Sequence, residues 1–101
     1  MLEGFLTMDE FEWDPDKERR NIRDHGIDFE TATLIWDGPV MEGADDRFHY
    51  DEERFTAVGM VDNRVLVVAF AWRDDIRRII SARKAKRIER RKFEEEIRKR
   101  S

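Results

Sequence analysis

Asp62-Asn63-Arg64-Val65-Leu66-Val67-Val68-Ala69-Phe70-Ala71-Trp72 decides the architecture of this 101-residue chain. Val65 to Trp72 is apolar at every position, the pattern of a strand with both faces buried, so it belongs at the centre of a sheet. At eight residues it is too short to span a bilayer. Asp62-Asn63 has the chemistry of a two-residue hairpin turn, because Asp and Asn tolerate the left-handed backbone such a turn needs. The segment from Arg64 is therefore the return arm of a hairpin whose first arm is Arg54 to Val61. After it, Arg73-Asp74-Asp75 turns the chain again, and Ile76 to Ser81 forms a strand with Arg77 and Arg78 on opposite faces. Val40 to Tyr50 is a weaker strand with a polar, Gly-containing interruption.

Helices flank this meander. Phe11-Glu12-Trp13 alternates as a short strand and stops at Asp14-Pro15, an N-cap followed by the residue best suited to the first helical position. That helix runs to Asp24 or His25, where Gly26 supplies a left-handed C-cap. Asp28 caps a second helix with Phe29, Ala32, Leu34, Ile35 and Trp36 on its apolar side, ended by Asp37-Gly38-Pro39. Ser81 is the expected cap of a long C-terminal helix reaching Arg98 through Ala85, Ile88, Phe93 and Ile97. The order is β-α-α-β-β-β-β-α: an α+β single domain over 1–101, an antiparallel β-meander with two N-terminal helices and one C-terminal helix. Residues 1–8 are set aside from this reading as a start or vector extension.

Charged residues make up 44% of the chain, yet three Trp and seven Phe accompany them, which a disordered chain would lack. There is no Cys, so disulfides and thiolate metal sites are excluded; this suits the reducing cytoplasm, the compartment expected here. The net charge of −4 conceals an asymmetry. Residues 1–72 carry 7 Lys/Arg against 18 Asp/Glu, whereas residues 73–101 carry 13 against 6. The basic end is either a solvated helix or a face for a polyanion.

Lys17, Asn21 and His25 recur at every fourth position, about 400° of helix per step, and so form one polar stripe. His25 stands in the last turn, where two readings are open. It either complements the helix dipole or, with the imidazolium favoured by that dipole, serves as a general acid. His49 lies far from His25 with no HxxxH or HExxH spacing, so no metal is expected. Glu53, Arg54, Arg73, Arg77, Arg78, Arg83 and Lys84 cluster at strand ends and around the expected helix start. Metal-free RNA cleavage needs a base for the 2′-OH, a cation for the phosphorane oxygens and an acid for the leaving 5′ oxygen. Arginine suits the second role through its planar fork of donors. A helix start at Ser81-Ala82-Arg83-Lys84 would add an anion site of its own. Tyr50, Trp72 and Phe93 are candidates for stacking on a base, with Trp72 and Phe93 expected in the core.

Phe11-Glu12-Trp13-Asp14-Pro15, Lys17, Asn21, His25-Gly26 and Phe29-Glu30 together resemble the opening signature of the BrnT family. Asp46-Arg47, Glu53-Arg54-Phe55, the run from Arg77 to Ala85 and Glu89-Arg90 continue the resemblance in order, over roughly Phe11 to Phe93. It implies a RelE-like fold, a metal-independent endoribonuclease without cofactor, and growth arrest as a toxin of a type II toxin–antitoxin system. It also implies neutralisation by a BrnA-like ribbon-helix-helix antitoxin, with operator DNA reached only through that complex. The catalytic set carried by these readings is His25, Glu53, Arg54, Arg78 and Arg83, and the RNA-binding set is Lys17, Asn21, Tyr50, Arg73, Arg77 and Lys84. Two positions depart from the family pattern: Asp24 stands where lysine is frequent, and Phe93 where tyrosine is frequent. A catalytically weak module for binding antitoxin or nucleic acid is the competing reading. The nuclease reading requires His25, Arg78 and Arg83 to converge on one cleft.

Overall fold

The computed structural model describes residues 6–8, 10–45 and 52–100. Local chemistry sets most element boundaries. Helix α1 (Pro15–His25) begins where Asp14 accepts a hydrogen bond from Asp16 N at 2.9 Å and Pro15 takes the first position. It ends at Gly26, at φ 71°, whose N–H reaches Ile22 O at 2.8 Å. Helix α2 (Phe29–Thr33) is capped by Asp28, which accepts from Thr31 N at 3.2 Å. The expected single helix through Trp36 is shorter, because the chain tightens after Thr33 into a 3-10 turn, Leu34–Asp37. Thr33 Oγ1 bonds back to Glu30 O at 2.6 Å, a contact that loosens a helix, and Gly38-Pro39 then ends it.

Among the described residues six strands form one sheet: β1 (Leu6–Met8), β2 (Phe11–Trp13), β3 (Met41–Asp45), β4 (Arg54–Val61), β5 (Arg64–Arg73) and β6 (Ile76–Lys84). The spatial order is β1-β2-β6-β5-β4-β3. From β3 to β6 this is the antiparallel meander, with β5 internal as its unbroken apolar run requires. Both hairpins turn through paired left-handed residues, Asp62 and Asn63 at φ 49° and 68°, Asp74 and Asp75 at φ 51° and 67°.

The structure adds three details to the expected order and corrects one expectation, the Ser81 cap. Leu6–Met8, set aside as an extension, pairs antiparallel with β2. The β2 strand joins β6 in parallel, so the sheet is mixed. The weak strand from Val40 narrows to Met41–Asp45, and its later part, with His49 and Tyr50, lies outside the described residues. Ser81 caps nothing: it lies within β6 opposite Ala69, and helix α3 (Arg87–Arg100) starts later. The α3 cap belongs instead to Glu89, whose carboxylate accepts from Lys86 N at 2.7 Å. An alternating strand continued through Ala82 and Arg83 wins over the local capping preference of a serine.

The two faces of the sheet differ. Trp13, Ile79, Ala82, Leu66, Val68, Phe70 and Ala57 join Ile27, Phe29, Ala32 and Ile35 in the main core, so the first two helices cover this face. Phe29 and Phe70 are fully buried, and burying such a side chain is worth about 1.5–3 kcal/mol. Gly59 lets the layers meet: an added Cβ would stand 2.7 Å from Ile35 Cβ. The alternate positions, among them Arg54, Thr56, Val58, Ala69, Ser81 and Arg83, emerge half-buried on the opposite face. Of α3, Phe93 is buried, as expected from the sequence.

Candidate functional site

Strand register assembles a row of charges across the face opposite the first two helices. Glu12 on β2 pairs with Arg78 on β6, Arg78 lies opposite Ala71 on β5, and Arg54 on β4 lies opposite Asp45 on β3. Continuing the β4–β5 register one step beyond Phe55 and Phe70 puts Arg54 beside Ala71. The row therefore reads Glu12, Arg78, Ala71, Arg54, Asp45. Two arginines flank a strand that offers only a methyl group, with their Cα atoms two strand spacings apart, about 10 Å.

The lateral position of Arg78 is fixed by burial. Its Nε donates to Glu12 Oε2 at 3.0 Å, and the two side chains are only 16% and 2% exposed. A carboxylate this deep holds its arginine in one orientation, because separating them strands a charge away from water. The next row of the face is of small side chains, Ser81, Ala69, Thr56 and Gly43, and beyond it Arg83 stands in line with the apolar Val67, Val58 and Met41. Here a cavity of about 260 Å3 is lined by Ala44, Asp45, Thr56, Val58, Val67, Arg83 and Glu89. Arg83 donates through both terminal nitrogens to Glu89, at 2.8 and 2.9 Å. The hydrogen-bonded Arg83 guanidinium, with help from Lys86 N–H, lowers the Glu89 pKa to about 2. Arg73 reaches Glu52 at 3.5 Å at the turn end of the same face.

Arg77 has the opposite fate. Sharing a face with Ile79, it inserts between Trp36 and Trp72, its guanidinium carbon 4.6 and 4.4 Å from their ring centroids and 5.3 Å from that of Phe70. One oxygen of Glu42 accepts from Arg77 at 3.1 Å and from Trp36 Nε1 at 2.6 Å. Trp72, expected in the core, is 44% exposed, because the strand outruns the helical cover there and Arg77 takes the inner space.

Asn21 and His25 fall outside this face. Asn21 is buried and donates to Ile27 O and Ala82 O at 2.9 Å each, while its oxygen accepts from Ala82 N at 3.0 Å. One amide hydrogen and the amide oxygen thus join α1 to the edge of β6 that β2 leaves open, while the other hydrogen holds the chain after α1 at Ile27. Asn21 is a structural joint, buried and with both ends of its amide engaged. His25 is exposed at the end of α1, on the side that sends Ile27 and Phe29 into the core. Arg78 and Arg83 lie on the opposite face of β6, so the convergence expected of His25 with them is not met, and a cleavage reading has to rest on the arginine face without the histidine. Lys17 is half-buried on α1, Glu53 is exposed just before β4, Lys84 is exposed at the end of β6, and Tyr50 lies outside the described residues. Asp24 is matched by its neighbour: Arg23 Nε donates to it at 3.0 Å, and this hydrogen bond lowers the Asp24 pKa. Glu12 was not singled out from sequence. Its signal was a carboxylate enclosed by Phe11 and Trp13 in a strand, but its partner lies 66 residues away.

A mixed sheet with its first two helices on one face, and with paired arginines and the Glu89 end of α3 on the other, defines a small α+β protein. Over residues 13–89 the chain matches the family described as ribonuclease toxin, BrnT, of type II toxin–antitoxin systems. With most of its length matched, the chain belongs to that family, whose activity is RNA cleavage and whose members act with an antitoxin partner. No curated protein matches the chain significantly. Among the described residues no helix is long and apolar enough to cross a membrane, and no group of three or more His, Asp or Glu is placed to hold a metal ion.

Proposed function

We propose that this toxin is a metal-independent endoribonuclease whose scissile phosphate lies on the open sheet face, between Arg78 and Arg54 and toward Arg83. The observation that carries this reading is the row Glu12, Arg78, Ala71, Arg54, Asp45, with the Arg83 cavity beside it. In-line attack by the 2′ oxygen forms a new bond to phosphorus, breaks the bond to the 5′ oxygen and leaves a 2′,3′-cyclic phosphate. Negative charge gathers on the non-bridging oxygens in the transition state, where oriented guanidinium donors stabilise it. Glu12 cannot serve as the base, because it is buried and committed to Arg78. Glu53, exposed beside Arg54 in sequence, takes the 2′ proton, and water protonates the departing 5′ oxygen.

Purified protein is expected to cleave RNA with EDTA present, leaving cyclic or 3′-phosphate ends. Arg78→Lys keeps a cation for Glu12 but loses the planar fork, and is expected to lower kcat at least about 100-fold without unfolding. Intact RNA in the presence of folded wild-type protein overturns the proposal. The antitoxin fitting this reading is a BrnA-like ribbon-helix-helix protein, so co-expression with the adjacent reading frame is expected to restore growth.

A further inference from the structure

Most strand arginines of this sheet are matched by a carboxylate: Arg73 by Glu52, Arg77 by Glu42, Arg78 by Glu12, Arg83 by Glu89. Arg64 and Lys84 are different. Among the described residues neither forms an ion pair, and both line one cavity of about 120 Å3 completed by Val65, Ala85 and Arg90. This lining contains three cations and no carboxylate. Arg90 is fixed as its wall, with Nε donating to Glu94 at 3.1 Å and Nη1 to Asn63 O at 3.2 Å. The floor is equally fixed, since Ala85 N donates to Val65 O at 2.8 Å.

The position is as telling as the charge. Arg83 and Lys84 are consecutive at the end of β6 and line different cavities, the larger one on the open face and this smaller one beside the Asp62-Asn63 turn. A cavity about four times the roughly 30 Å3 a water occupies in the liquid has room for a tetrahedral anion. An anion entering it gains charge-assisted hydrogen bonds without breaking an existing ion pair at Arg64 or Lys84.

We infer that the Arg64–Lys84–Arg90 cavity is a second phosphate subsite, holding a backbone phosphate of the RNA strand away from the scissile position. The inference rests on the open-face nuclease reading and adds the path of the strand, over the end of β6 from the Arg83 cavity to this one. Recognition there is of the phosphate alone, with no preference among bases.

The test is fluorescence anisotropy of a fully 2′-O-methylated, non-cleavable RNA with the full chain at several salt concentrations. Arg64→Gln with Lys84→Gln is expected to remove one phosphate contact. The slope of log affinity against log salt then becomes shallower by about 0.7, and affinity at 0.1 M salt falls about fivefold. Arg91→Gln with Lys92→Gln, an equal charge change at exposed α3 positions, is the control and is expected to alter neither. Circular dichroism confirms that each variant folds. An unchanged slope and affinity in the cavity variant, with RNA bound by wild type, overturns the subsite and leaves the nuclease reading standing. A wild type that binds no RNA overturns both. A loss confined to operator duplex DNA in the antitoxin complex, with RNA affinity intact, also overturns the subsite.

Discussion

Arg77 and Arg78 are adjacent in the chain, identical in chemistry, and opposite in situation. Arg77 lies under two indole rings and meets a carboxylate that is 30% exposed; Arg78 lies beside Ala71 of β5 and meets one that is 2% exposed. The first arrangement uses the cation as packing material, since a guanidinium between aromatic faces gains about 0.5–2 kcal/mol. The second uses packing to aim a cation. Strand alternation alone separates the two, so a single pleat decides whether an arginine is a wedge or a tool.

The largest expected effect comes from breaking the Arg78 side of this contrast. Glu12→Ala leaves Arg78 without its deep partner and is expected to cost about 3–5 kcal/mol in urea denaturation. Replacing both, Glu12→Leu with Arg78→Met, is expected to recover most of that stability and none of the RNA cleavage, separating the pair's structural role from its chemical one. A double variant as unstable as the single one would show that the pair itself holds the sheet together.

A smaller effect is expected on the face Arg77 shares with the helices. Gly59→Ala drives a methyl group into Ile35, and overpacking of this kind costs about 1–3 kcal/mol, read as a lower denaturation midpoint. RNA affinity, measured on protein still folded, is expected to hold, because the substitution lies on the covered side.

The third test uses pH. The folded Glu89 pKa of about 2 lies below its ordinary 4.5, so the Arg83–Glu89 pair stabilises fully above about pH 4.5 and loses that contribution as pH falls toward 2. Wild type is expected to exceed Glu89→Gln in stability at pH 6, with the two converging near pH 2. A gap that persists in acid would assign the stabilisation to something other than the charged pair.

The smallest effect is expected at His25. Exposed on the helical side, His25→Ala is expected to change cleavage less than about threefold, the scale of an ordinary surface substitution. A loss of two orders of magnitude would erase the division between the faces and return the histidine to the chemistry.

Sequence yielded the parts of this fold whose causes are local. Asp14-Pro15, Gly26 and Asp62-Asn63 each act through their own backbone conformation, and each stands where its residue type directs. Ser81 misled because a serine before a charged run suits a helix cap and a strand equally, and only pairing with Ala69 on β5 decides between them. The parallel contact of β2 with β6 joins Phe11 to Arg77, and no short-range signal carries that distance. The site followed the same divide: arginine as the working residue type was legible, but which arginines share a face depended on register. The Lys17-Asn21-His25 stripe is real as helix geometry, yet Asn21 spends its amide on Ala82, so the stripe is not an RNA contact surface at its middle.

The C-terminal helix is moored differently from the rest of the molecule. Phe93 is a buried anchor, Ile88 is 64% exposed, and polar ties run from Arg83 to Glu89, from Arg90 to Asn63 O and from Arg100 to Val40 O. Dissolved ions shorten the reach of such ties from about 10 Å at 0.1 M to about 3 Å at 1 M, and leave oily contacts intact. Concentrated salt is therefore expected to weaken the Arg83–Glu89 mooring of this helix before it loosens the sheet and the two helices packed on it.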